Sequence, residues 1–391
     1  MTLTRILFLP VHIVLLAAGL IAGSKTPPRF QIAYPLLHTA SFFAFWYFIP
    51  PSDAPSDFFF VCAGVEAILR SFSLHLIASP WKTFYRLNQP SFDQLSLYGK
   101  INWAVNISFS TRGIGWSWQL PNLSPALPYK TRISYTFYAV RRLLFAFLLA
   151  DLARSYQALY IPWIATTGSS GIRIGDLPFL QKAMTFSTCS MNGIASQLMP
   201  YEWICLVFML CGADLESFNR PILGEWREAY TIRRFWGRFW HQNLRWIRQT
   251  QARYLAYNIL GARKGSHLSN YTQVFYAFFW TGVSHWAGLY MIDPTRTWAR
   301  TFWFFPLQGL GIVSEDLVIA GAKRLGVGLR KGKDGKDVAT GWAQLLGRVW
   351  TLTWFFVTAW GFLEDAIRFG LSNETGSFTV VRGLLGKGWW V

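Results

Sequence analysis

Long apolar stretches separated by polar or basic connections set the pattern of this chain. Eight segments, 5–22, 31–50, 57–79, 136–163, 179–212, 271–292, 298–322 and 342–367, are apolar over lengths that suit a helix crossing a bilayer core of ~30 Å. The predicted fold class is an all-α polytopic membrane protein. It has about eight transmembrane helices, with interfacial helices on the cytoplasmic side, in one integral domain over residues 1–391. Segment 136–163 contains Arg141, Arg142, Asp151 and Arg154, so it must pack largely against protein or lie partly in the interface. Segment 179–212 is too long for one straight crossing, and Pro200 is expected to divide it into two pieces.

The connections supply an internal check on that count. Loops 24–30, 80–135, 213–270 and 323–341 are rich in Lys and Arg, with ten basic residues from Arg220 to Lys264 and six from Lys323 to Lys336. The alternate connections are poor: 51–56 has none, 164–178 has Arg173 and 293–297 has Arg296. An eight-span arrangement puts every rich loop on one side, as the positive-inside rule requires. Both termini then face the lumen, and the membrane of the endoplasmic reticulum is the expected location. The apolar run from Ile6 to Ile21 reads as an uncleaved first helix rather than a signal peptide, because further spans follow it. The sequons at Asn106, Asn122 and Asn270 would face the cytoplasm, and Asn373 the lumen. Gly326–Lys336 reads as a flexible cytoplasmic turn.

Composition agrees. Of 391 residues 52% are hydrophobic and only 14% charged, against roughly 25% charged in a soluble protein. The net charge of +18 would suit nucleic acid, but the basic residues lie between spans, where they meet anionic headgroups instead. No nucleic-acid partner is expected; the lipid bilayer is. Cys62, Cys189, Cys205 and Cys211 lie in or beside apolar segments without metal-type spacing and read as small buried hydrophobes.

Two histidines stand out. His285 lies in a run from Tyr271 to Ile292 that carries no charged residue, and an ionisable group at that depth is a functional-site candidate. It is either a packing histidine bonded across helices or a general base, since burial keeps imidazole neutral and neutral imidazole can take a proton. His241 follows Phe235-Trp236-Gly237-Arg238-Phe239-Trp240. Read as a helix, Arg234, Arg238, His241, Arg245 and Arg248 share one face. That face lies on anionic lipid, or it holds a polyanion such as the phosphates of coenzyme A beside His241. Glu315 and Asp316, next to an apolar run, need partners; an ordinary interhelical contact suits Asp316. Thr111–Trp118 has two glycines in GxG spacing but no following helix of the dinucleotide-binding type. His12, His38, His75 and His267 stand alone and receive no role.

These blocks carry a resemblance. Arg112–Trp118, Ser217-Phe218-Asn219-Arg220-Pro221 with Phe235–His241, Thr281-Gly282-Val283-Ser284-His285 and Gln308–Asp316 resemble, in order and spacing, the motifs of a fungal wax-synthase-like acyltransferase of the membrane-bound O-acyltransferase superfamily. Phe239 stands where the family usually has a second Arg, and Ser284 is not the commonest residue before the histidine. The resemblance implies transfer of an acyl group, acetyl in the terpenoid and meroterpenoid subgroup, from acyl-CoA to a hydroxyl of a hydrophobic natural product. His285 and His241 would be catalytic. Arg234, Arg238, Trp240, Arg245, Trp280 and Glu315 would bind CoA or substrate. No bound cofactor or metal is expected, and acetyl-CoA or another acyl-CoA is co-substrate. The alternatives are a long-chain wax ester synthase and, in another class, a transporter or lipid-binding membrane protein.

Overall fold

The computed structural model describes residues 7–50, 55–161, 174–212, 214–295, 298–331, 337–368 and 378–389. Arg173, Arg296 and the sequon at Asn373 lie outside the described residues. The described chain is almost entirely helical. In order come α1 (Phe8–Gly23), α2 (Ala33–Phe48), α3 (Pro55–Phe72, prolonged by a π-helical turn Ser73–Ala78), α4 (Leu97–Phe109), α5 (Arg132–Tyr160) and α6 (Phe179–Leu210). Then follow α7 (Ile232–Arg234, continued by a π turn Phe235–Phe239), α8 (Arg245–Tyr254), α9 (His267–Ile292) and α10 (Ala299–Arg324). A hairpin of β1 (Leu329–Lys331) and β2 (Asp337–Ala339) precedes α11 (Gly341–Thr358), α12 (Trp360–Arg368) and α13 (Val380–Leu384).

The helices start where side chains can replace missing backbone partners. Thr131 and Ser134 form a reciprocal capping box ahead of α5, and Ser96 and Ser266 cap α4 and α9. Each of the eight apolar segments carries a helix. Among the described residues, four helices are long and apolar enough to cross a membrane: Ser56–Ala78, Arg132–Tyr160, Phe179–Leu210 and Ala299–Arg324.

Two expectations are corrected here. Pro200 does not divide its segment: α6 runs unbroken for 32 residues with Pro200 inside. Proline removes only one intrahelical bond, and close packing along α5 holds the helix together around it. Within Gly326–Lys336, read as a turn, Leu329–Lys331 instead forms a strand that pairs antiparallel with Asp337–Ala339, Leu329 with Ala339 and Lys331 with Asp337, while residues 332–336 lie outside the described residues.

The chain forms two compact units, one of Met1–Asn122 with Gln242–Gly309 and the other of Leu123–His241 with Leu310–Val391. In the first, α3 packs on α9, α1 on α2 and α4, and α8 on α9. Its hydrophobic core gathers Phe8, Phe42, Trp46 and Val61, with Ala287 and Met291 against them. The second is built on the α5–α6 pair. There the polar residues that made segment 136–163 doubtful are partnered by protein. Arg142 pairs with buried Glu202 at 3.6 Å, and Asp151, fully buried, accepts the backbone N–H groups of Val380 and Val381 at 3.0 Å.

Candidate active site

In the first unit, α9 presents small residues to its neighbours so that backbones approach closely. A Cβ at Gly288 would lie 2.7 Å from the Phe58 ring and 2.8 Å from Cys62 Sγ on α3, and one at Gly282 would lie 2.8 Å from the Phe302 carbonyl oxygen on α10. His285 sits between these close approaches, half-buried. Phe305 lies against its ring at 4.5 Å between centroids and Phe58 at 5.9 Å. Its Nδ1 is 2.8 Å from the Thr281 carbonyl oxygen. A carbonyl can only accept, so Nδ1 carries the proton and the in-plane lone pair of a neutral ring is on Nε2. That tautomer is the one a base acting through Nε2 needs. Trp280, one turn earlier, packs beside Tyr276 and Phe279, and its carbonyl accepts from Ser284 Oγ at 2.9 Å.

Directly behind His285 lies a buried ionic cluster that sequence reasoning missed. Arg248 Nη2 is ion-paired with Glu66 and also reaches Ser284 Oγ at 3.3 Å; Ser284 Oγ in turn lies 2.7 Å from Glu66 Oε1. Arg248 is 3% and Glu66 13% exposed at the side chain. The layer continues through Tyr276, whose hydroxyl donates to Gln251 Oε1 at 3.0 Å, and Gln251 Nε2, which donates to the Leu69 carbonyl at 2.8 Å. The signal was present: Glu66 is an acidic residue inside an apolar segment, and such a residue demands a partner. Arg248 Nε and Nη1 remain buried without a hydrogen-bond partner among the described residues, a donor set suited to an anion.

The basic residues from Arg234 to Arg248 do not lie on one continuous helix. The π turn of α7 ends at Trp240, whose backbone is extended (φ −67°, ψ 155°), and α8 starts only at Arg245. His241 therefore lies in a connection, not on a helix. The break also separates the residues between units. Arg245, which donates to Gln242 Oε1 at 2.9 Å, and Arg248 belong to the first, while Arg234, Arg238, Trp240 and His241 belong to the second. In the second unit Arg234 and Arg238 converge on one carboxylate, Glu228, with Arg238 Nη1 at 2.6 Å from its Oε2. Arg234 also lies over the Tyr230 ring at 4.3 Å. Trp240 stacks on Phe235 at 5.8 Å, nearly parallel, and lies 5.5 Å from the His241 ring. Glu315 takes the backbone N–H groups of Ile232 at 2.6 Å and Arg233 at 3.2 Å, so it caps the start of α7. Asp316 pairs with Arg233 at 2.6 Å.

Residues 219–307 match the Membrane bound O-acyl transferase family. The chain is similar to an acetyltransferase of Rhodocybe pseudopiperita, 30% identical over 271 residues that cover 68% of this chain and 67% of that one. The chain belongs to the membrane bound O-acyl transferase family. It is also similar to an acetyltransferase of Hericium erinaceus, 27% identical over 303 residues covering 76% and 75%, and to one of Calcarisporium arbuscula, 33% identical over 160 residues covering 41% and 37%.

As a membrane-bound O-acyltransferase, the protein has both singled-out histidines inside the stretch that matches its family. Glu66, Arg112 and Glu315 lie outside it. Arg112 opens a tight turn in which Gly113 and Gly115 take positive φ (63° and 75°) and the Leu120 N–H returns to the Arg112 carbonyl at 3.0 Å. A Cβ at Gly113 would lie 2.7 Å from Trp118, so the Arg112–Trp118 block is a folded turn that packs Trp118 on Phe84 and Trp246. Among the described residues no group of three His, Cys, Asp or Glu side chains is placed to hold a metal.

Proposed function

We propose that the protein transfers an acetyl group from acetyl-CoA to a hydroxyl of a hydrophobic, terpenoid-type natural product, with His285 as general base. The observation that carries this reading is the Nδ1–H bond of His285 to the Thr281 carbonyl between the rings of Phe58 and Phe305. In the proposed step, Nε2 takes the hydroxyl proton as the alcohol oxygen bonds to the thioester carbonyl carbon. The C–S bond then breaks and the thiolate of CoA recovers the proton from the imidazolium. Apolar walls favour the neutral base and an apolar alcohol over water. The names of the three relatives support acetyl as the group transferred.

His285→Ala tests the assignment. Loss of a general base typically costs 10²–10⁴-fold, so turnover in microsomes given labelled acetyl-CoA and a hydroxylated terpenoid should fall at least about a hundredfold at equal protein level. Near-normal ester formation would overturn it.

The remaining roles are proposed unit by unit. In the second, His241 donates to the oxyanion that develops on the thioester. Its replacement by Ala should lower kcat by roughly 10²–10³-fold with KM for acyl-CoA little changed, because the donor acts only in the transition state. Arg234 and Arg238, with Trp240 beside them, are proposed to exchange Glu228 for the phosphates of CoA, and Glu315 to hold the start of α7 in place for them. In the first, Trp280 and Arg245 contribute to binding substrate and CoA. The topology proposed is eight spans in the endoplasmic reticulum membrane, all in one integral domain, with both termini lumenal.

A further inference from the structure

Three helices of the first unit border a small, half-open space far along the chain from His285. A cavity of about 160 Å³ lies among α1, α2 and the end of α3, with Tyr34, His38, Ser71 and His75 in its wall. These last three side chains are 2%, 1% and 3% exposed, yet His38 Nε2, Ser71 Oγ and His75 Nε2 have no hydrogen-bond partner among the described residues. Buried polar groups ordinarily find hydrogen-bond partners, so three orphaned ones around one cavity are unlike ordinary packing.

The orientation of His75 is built in. Gln31 Nε2 donates to the carbonyls of Gly23 and Thr26 at 2.6 and 2.9 Å, which turns its Oε1 toward His75 Nδ1 at 3.1 Å. His75 therefore carries its proton on Nδ1 and presents a lone pair at Nε2. Tyr34 stacks on the ring at 4.6 Å and holds its plane. Gly19 keeps the approach open, because a Cβ there would stand 3.3 Å from Nε2. The rest of the wall is apolar and runs out to Leu37, which is 57% exposed on α2.

We infer that this cavity is a binding site for the hydroxylated ring of a membrane-dissolved alcohol, separate from the acyl-transfer site. The hydroxyl donates to His75 Nε2 and shares Ser71 Oγ and His38, the ring fills the cavity, and the remainder lies along α1 and α2 in the bilayer. A cavity of ~150 Å³ is known to accept a benzene-sized ring, so the volume suits one ring and excludes a whole polycyclic body. A water meets the three polar atoms but leaves most of the apolar wall unfilled, whereas a hydroxylated ring meets both.

The test uses the full-length protein in nanodiscs with a photoreactive 3β-hydroxysterol and its 3-keto counterpart, cross-links being mapped by mass spectrometry. The hydroxysterol should label peptides from α1–α3, be displaced by excess unlabelled hydroxysterol, and label at least about tenfold more than the ketone, the worth of one well-made hydrogen bond. His75→Phe, which keeps a ring but loses the acceptor, should lower labelling about tenfold; Gly19→Val, which closes the approach, should abolish it. Labelling should persist in His285→Ala, so loss of catalysis and loss of this site are told apart. Equal labelling by alcohol and ketone, labelling unchanged in both variants, or a cavity that holds only ordered waters and takes no probe would each overturn the inference.

Discussion

Arg248 and Glu66 show what a buried charge demands at the scale of one residue. Each is nearly sealed from solvent, so neither is tolerable alone, and the ion pair exists because the alternative is an uncompensated charge. Removing one partner of such a pair costs about 3–5 kcal/mol, while replacing both by apolar residues is often close to neutral. Glu66→Ala should therefore lower the thermal unfolding midpoint in detergent sharply, and Glu66→Leu with Arg248→Leu should recover most of the loss. A double variant as unstable as the single would sink this account of the pair. The same logic explains why His285 was readable and its support was not. A histidine in an uncharged run announces itself, but nothing local to Ser284 says that a carboxylate 218 residues away will reach it.

Among the elements, the region from Leu223 to Trp240 is governed by close backbone approach. The Gly224 N–H donates to the Phe239 carbonyl at 2.8 Å, and a Cβ at Gly224 would overlap the Arg238 carbonyl oxygen. Gly237, by contrast, faces open space. Gly224→Ala should displace the π turn that carries Arg238 and lower acyl transfer at least tenfold, since geometry errors of about 1 Å cost up to about 10²-fold. Gly237→Ala should leave transfer within about twofold of the parent. Comparable activity in the two variants would mean that this turn does not position the chemistry. The turn also explains why the basic stripe misled. Helical spacing alone puts Arg234, Arg238, His241, Arg245 and Arg248 on one face, but a pattern of period 3.6 carries no information on where a helix stops. Trp240 stops it by taking an extended backbone while Phe239 is held by Gly224. Pro200 errs the other way: a local rule ends the helix, and packing along α5 overrides it.

For the whole molecule, the testable matter is which loops face the cytoplasm. Under the proposed eight-span topology Asn106, Asn122 and Asn270 never meet the glycosylation machinery, so replacing each by Gln should leave mobility before and after endoglycosidase treatment unchanged. A mobility shift traced to any of the three would break that topology. Asn106 is in addition engaged within the fold, accepting from Arg86 at 3.4 Å and donating to the Asn102 carbonyl at 2.8 Å.

What the sequence by itself determined was everything that rests on composition and local periodicity. That covers the apolar helical segments, the basic connections and the two histidines in the stretch that matches the family. These follow from burial and hydrogen bonding within a few residues, which each local segment must satisfy for itself. Tertiary structure alone decided who meets whom: Arg248 with Glu66, Glu315 with the start of α7, Asp151 with the start of α13, and His75 with Gln31. It also turned His38 and His75, each solitary in sequence, into two walls of one cavity. The reason is physical. A polar group buried by distant packing must find its partner wherever the chain brings one, and no local pattern records that address.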